Sequence, residues 1–160
     1  MPSFPQLVEE DVLRLDEELR GLLAQSEATI ALLIDAAGFL IGSSGDTRQF
    51  DLTTIAALAA GAFMANQTIA GLVSETHFNS LYQQGEQFSL FVLAVNDQAL
   101  LVVIFQAHLG VGLVKYYAQP AAQRICRQLQ IAHARKPDAS LDLSEVNLAD
   151  PRGLFRRKLD

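Results

Sequence analysis

The side chains able to act as ligands, bases or nucleophiles are few and scattered along the sequence. His77, His108 and His133 lie far apart. A metal needs several such groups converging on one point, so any site would have to be assembled by the fold; otherwise these are surface or strand-end histidines. Cys126 is the one cysteine, which excludes an internal disulfide and a cysteine-based metal cluster. Beside Ile125 it reads as a buried helix residue. Ser43 and Ser44 could offer a hydroxyl nucleophile only with a base beside them. Spacing places neither a histidine nor a carboxylate there, and they read as turn residues. Gly110-Val111-Gly112 opens like a dinucleotide fingerprint, but Lys115 stands where the third glycine belongs. No acidic residue follows at about twenty residues' distance. The chain also lacks a Gly-x-x-x-x-Gly-Lys-Ser/Thr loop for cradling phosphates. No catalytic residue, cofactor or metal ligand is therefore assigned, and the chain reads as a binding domain rather than an enzyme.

Composition narrows the partners. Half of the 160 residues are hydrophobic and 19% are charged, more apolar than an exposed monomer requires, so a covered partner surface is expected. The formal charge of -6, with no basic face in the body of the chain, argues against nucleic acid as a partner. The longest apolar run, Ile55 to Ala65, is too short to span a bilayer. Glu9, Glu10 and Asp11 stand where a signal peptide would carry positive charge. A cytoplasmic protein is expected, with no membrane span.

Elements follow from periodicity. Val8, Val12, Leu15, Leu19, Leu22 and Leu23 form one stripe of a first helix over residues 7–24. Thr29 to Ser44 then reads as two short strands around Asp35-Ala36-Ala37-Gly38, where Asp35 can bond nearby backbone and Gly38 can take a positive φ. Asp51 is a plausible N-cap for a long helix beginning at Leu52. On that helix Ile55, Ala59, Ala62, Ile69 and Val73, flanked by Leu58, Phe63 and Leu72, are expected to face the sheet. The opposite face would carry Thr53, Ala57, Ala60, Met64, Gln67 and Gly71. No charged residue lies between Leu52 and Ser74, so both sides of this helix should be covered, the outer one by another helix approaching its small residues.

Residues 77–84 are more polar and suit an edge strand, with Phe78, Ser80 and Tyr82 on one side. Phe88 to Val95 and Ala99 to Phe105 are apolar on both faces and belong at the centre of a sheet covered on both sides. Asn96-Asp97-Gln98 joins them as an antiparallel hairpin. A last helix spans Leu109 to Ala134, and Pro120 should kink or divide it. The pattern ends near Pro137. A domain over residues 1–136 and a tail over 137–160 are expected. The apolar residues Leu141, Leu143, Val146, Leu148, Leu154 and Phe155 are too many for a purely solvated tail, so it should dock, while Arg156, Arg157 and Lys158 suggest an acidic counterpart.

This order, together with the LLIDAAGFLIGSSG hairpin, the apolar hairpin Phe88 to Phe105 and the Leu109-Gly110-Val111-Gly112-Leu113 helix entry, resembles the roadblock family of dynein light-chain and MglB-type proteins. The resemblance covers Val8 to Ala134. It implies an α+β fold, an α-β-β-α-β-β-β-α sandwich with a central antiparallel five-stranded sheet. It also implies a homodimer, built by side-by-side central helices and edge-to-edge third strands. Ala57, Ala60, Met64, Gln67 and Tyr82 are then the expected interface. The partner implied is a Ras-like small GTPase, on which MglB-type members act as activating proteins, and Arg48 and Thr53 are its candidate contacts. Pro120 and the tail depart from the family pattern. A PAS- or profilin-like small-molecule sensor and a purely structural assembly subunit are the alternatives.

Overall fold

The computed structural model describes residues 3–135; the expected tail, its docking and the boundary at 136 lie outside them. The elements run α1 (Glu9–Ser26), β1 (Ile30–Asp35), β2 (Leu40–Gly45), α2 (Leu52–Leu72), β3 (Ser80–Gln83), β4 (Phe88–Asn96) and β5 (Ala99–Gln106). A 3-10 turn (Ala107–Leu109) then leads into α3 (Val111–Ala134). The strands form one antiparallel sheet in the order β2-β1-β5-β4-β3. This is the α+β sandwich expected from the sequence.

Alternation splits the central strands between two cores. Ala31, Leu33, Phe91, Leu93, Leu101, Val103 and Phe105 meet Leu15, Leu19 and Leu22 of α1 and Val114, Ala118, Ile125 and Leu129 of α3. The alternate residues Ile30, Leu32, Ile34, Val92, Leu100, Val102 and Ile104 meet α2 on the other face. At the middle of the strand order, β5 is buried from Ala99 to Phe105. The edge position expected for residues 77–84 is occupied by β3, which is shorter, and β2 forms the other edge. Phe78 precedes β3 and packs toward α2 with Leu81, whereas Tyr82 stacks on Phe105 across the sheet. Phe78 and Tyr82 therefore do not share a side, because strand alternation begins only at Ser80. The helix α3 runs undivided through Pro120. That residue is exposed, so the carbonyl deprived of its partner, at Tyr116, sits where water can serve it.

Helix α1 begins differently from its hydrophobic pattern. Val8 and Val12 are 41% and 51% exposed, and the buried position in the first turn belongs to Asp11. Its carboxylate accepts hydrogen bonds from the Val8 N–H at 2.8 Å, from Gln128 Nε2 at 2.8 Å, and from both terminal nitrogens of Arg135 at 2.7 and 3.1 Å. It thereby caps α1 and clamps it to the end of α3. The Arg135 hydrogen bonds hold the Asp11 carboxyl well below the usual carboxylate range against an opposing push from burial, with help from Val8 and Gln128.

A folded-state pKa below its unfolded value adds stability that is present above the unfolded value and fades as pH falls. Asp11→Asn is expected to destabilise the protein by about 2 kcal/mol at neutral pH. In urea titrations repeated across pH, the gap to wild type should be flat above about pH 5 and close progressively below about pH 4.

Candidate protein-interaction surface

The long helix is built to be apolar on both sides. Asp51 caps α2, with Oδ1 accepting from the Thr54 N–H at 3.2 Å and Oδ2 from the Thr54 hydroxyl at 2.6 Å. These bonds lower the Asp51 pKa, the hydroxyl foremost. At the other end Glu75 N–H donates to Ala70 O and Ser74 N–H to Gly71 O, with Ser74 in the left-handed region at φ 62°. That is a Schellman stop with serine in the place glycine usually takes. Two polar side chains within the helix serve the helix itself. Asn66 donates to Ala62 O and Thr68 to Met64 O, which mutes the polarity they add to the surface.

The side of α2 against the sheet is lined by small residues. Ala56, Ala59, Ala60, Phe63 and Ala70 are the buried positions, and Phe63 packs on Phe78 with ring centroids 5.0 Å apart. The turn between β1 and β2 presses against the same helix. Gly38 adopts φ 94°, and a Cβ there would stand 2.9 Å from the Ala57 Cα. The Phe39 N–H donates to Asp35 Oδ1 at 2.9 Å and holds this turn. The larger aliphatics point the other way. Leu58, Met64, Ile69, Leu72 and Val73 are 68%, 58%, 55%, 80% and 71% exposed. By length and composition α2 could cross a bilayer, but its buried stripe is packed on the sheet.

A cavity of about 640 Å³ opens beside α2, between Phe63, Met64, Gln67, Phe78 and the β4–β5 turn. Its one ionisable lining residue is Asp97, which gives it no nucleophile–base pair. Among the described residues no three His, Cys, Asp or Glu side chains gather to hold a metal. His77, His108 and His133 are exposed, and Cys126 is only half-buried.

With the sandwich and its uncharged outer helix established, comparison with known proteins places the chain. The family model for the Roadblock/LC7 domain matches residues 15–105. The chain belongs to the Roadblock/LC7 family. Among solved structures it is similar to MglB of Myxococcus xanthus, at 28% identity and a TM-score of 0.74, over 83% of this chain and 99% of that one. The gliding protein MglB of Thermus thermophilus matches at 30% identity and a TM-score of 0.74, over 82% and 100%. An MglB with a tetrameric arrangement matches at 30% identity and a TM-score of 0.76, over 82% and 99%. No curated protein matches the chain.

In this roadblock protein the residues expected at an interface do not form one patch. Thr53, Ala57, Met64 and Gln67 are exposed on α2. Ala60 is not. At 5% exposure it lies in the core under the sheet, so its assignment to the outer face is wrong. Tyr82 is 40% exposed and stacks on Phe105 on the opposite side of the sheet. Arg48 has a 91% exposed side chain and pairs with Asp46 at 3.3 Å. Conversely, Ala62, Ile69 and Val73, expected against the sheet, point outward with Leu58 and Leu72. The overlooked signal was the spacing of Ala56, Ala59, Ala60 and Phe63, which follow i, i+3, i+4, i+7, and a sheet face already filled with Ile, Leu and Val takes a mostly thin cover.

The two faces should separate cleanly by mutation. Ala60→Glu buries an unpaired carboxylate and is expected to cost several kcal/mol, enough to abolish the cooperative thermal transition followed by circular dichroism. Ile69→Glu should retain the wild-type spectrum at 25 °C. A folded Ala60→Glu protein would contradict this placement.

Proposed function

We infer that this roadblock protein is a homodimeric, non-enzymatic binding protein of the cytoplasm that regulates or scaffolds a Ras-like small GTPase. The observation that carries the reading is the outward face of α2, where Leu58, Met64, Ile69 and Leu72, with Val73 at the C-cap, stand exposed on a helix without a charged residue. An exposed contiguous apolar face in a water-facing domain marks an interaction site. The exposed Ala57, Gly61 and Ala65 beside these side chains give a second helix room to approach closely. The short edge strand β3 lies at the end of the sheet nearest Phe78, available for pairing with its equivalent in a second copy. The likeness to MglB-type proteins supports a Ras-like GTPase as the partner. A paired platform would present Thr53 and the loop before α2 on its rim. Arg48 in that loop is exposed and pairs with Asp46 at 3.3 Å, which supports a solvated ion pair over a catalytic arginine.

The protein should run as a dimer by light scattering at micromolar concentration. Leu58→Glu combined with Ile69→Glu should shift it to a folded monomer, since each would place a charge in the apolar contact. A wild-type monomer would end this reading.

A regulator must bind one nucleotide state of its GTPase more tightly than the other, since only differential affinity shifts an equilibrium. GTP turnover by the host's small GTPases should therefore change when this protein is added, and the protein alone should neither bind nor hydrolyse GTP. Arg48→Ala should leave the change intact. If no host GTPase binds or responds, the proposal fails.

A further inference from the structure

The edge strand β3 is too short to cover its neighbour. It pairs only with Leu90–Leu93, while β4 continues to Asn96. Beside that overhang, on the α3 side of the sheet, opens a cleft of about 540 Å³. Asn79, Leu93, Val95, Gln123, Cys126 and Arg127 are among its lining residues. The charges around it are unequally matched. Helix α3 carries no acidic residue, in a chain of net charge -6. Toward α1, Arg124 pairs with Glu18, and Arg135 at the C-cap pairs with Asp11. Arg127 is exposed and has no ion pair among the described residues. The same holds for Glu86, in the exposed turn between β3 and β4.

We propose that Glu86 of a second copy enters this cleft and pairs with Arg127, with the reverse pair formed across the two-fold axis. The proposal rests on the dimer reading above and adds the residues that fix how the two sheets join.

The backbone of β3 dictates the geometry. Ala94 N–H donates to Asn79 O at 2.8 Å, so Asn79 turns its peptide groups toward β4. Alternation then turns Leu81 and Gln83 toward β4 and Ser80, Tyr82 and Gln84 toward the free edge. Two copies pairing antiparallel through that edge must match even-numbered residues with even-numbered ones. Centred on Tyr82, the pairing sets Ser80 against Gln84, and Gly85 of the second copy falls beside Asn79. Centring on Leu81 or Gln83 instead sets Gln83 or Gln87 there. In every case the turn that carries Glu86 lies at the cleft. The face is also settled. Tyr82 stacks on Phe105, part of the core beneath α1 and α3, and opposed residues of paired strands share a face. The second copy therefore brings its strand end in on the α3 side. Its strand would run about 4.8 Å outside β3, a gap that a glutamate and an arginine bridge from the two sides.

Light scattering of the full-length protein comes first. A wild-type monomer would overturn both this proposal and the dimer reading. With a wild-type dimer, Arg127→Glu and Glu86→Arg should each raise the dissociation constant at least about tenfold, because each sets like charges together twice. The combined variant should return to within about threefold of wild type. Equal dissociation constants in all four proteins, or no recovery in the combined variant, would overturn the pair and leave dimerisation standing. Both positions are exposed, so each variant should keep the wild-type circular dichroism spectrum. A second measurement locates the contact without altering Arg127. Glu86→Cys, treated with a short bismaleimide, should join to the native Cys126 of the other copy and run as a covalent dimer. Wild type and Glu86→Cys/Cys126→Ser should stay single chains under the same treatment. A wild-type dimer in which Glu86→Cys fails to crosslink, or crosslinks equally without Cys126, refutes the placement.

Discussion

The close seating of α2 on the sheet is the constraint on which the remaining features depend. The sheet face beneath it is filled with Ile30, Leu32, Ile34, Val102 and Ile104, and the β1–β2 turn rises until Gly38 is in backbone contact with Ala57. A cover of leucines would hold the helix away from that turn. Alanine does not, and its high helix propensity supports the long helix at the same time. Once alanines occupy the inner stripe, the larger aliphatics of the same segment have only the outer face left. The exposed apolar surface is thus a geometric consequence of how the helix packs.

This explains which parts of the molecule were legible in the sequence. The hairpin around Gly38, the cap at Asp51 and the central position of the Phe88 to Phe105 strands were readable because each rests on local chemistry: a left-handed residue, a side-chain acceptor, an unbroken apolar run. The rotation of α2 was not readable from hydrophobicity alone. Every position on that helix is small, apolar or uncharged, so a wheel drawn by hydrophobicity has almost no contrast, and the choice of inner face fell to side-chain size. Ala60 and Ile69 were exchanged for that reason. Asp11 was missed on opposite grounds. A carboxylate in a first helical turn is an ordinary dipole partner, and only the fold brings Gln128 and Arg135 to it from the far end of the chain.

The two sheet edges are unequal, and the layers over them explain why. Beside β3 lies the outer face of α2, so pairing there would come with apolar helix contact on one side of the sheet. At the β2 edge the neighbour is α1, whose exposed Val12 and Leu13 stop short of covering the strand.

The clamp at Asp11 links that second edge to the interior. Its carboxylate has no exposed surface and receives its hydrogen bonds from three separate parts of the chain, the entry to α1, the body of α3 and the residue where α3 ends. A buried carboxylate without those donors would be strongly destabilising, so α1 and α3 are held in register at this one end. Arg135 is the C-cap of α3, and its pairing with Asp11 fixes that end of the helix on α1. Its bidentate geometry matters for that role. A lysine would meet the charge as a mobile point contact, whereas the planar guanidinium meets both carboxylate oxygens and fixes orientation as well as distance.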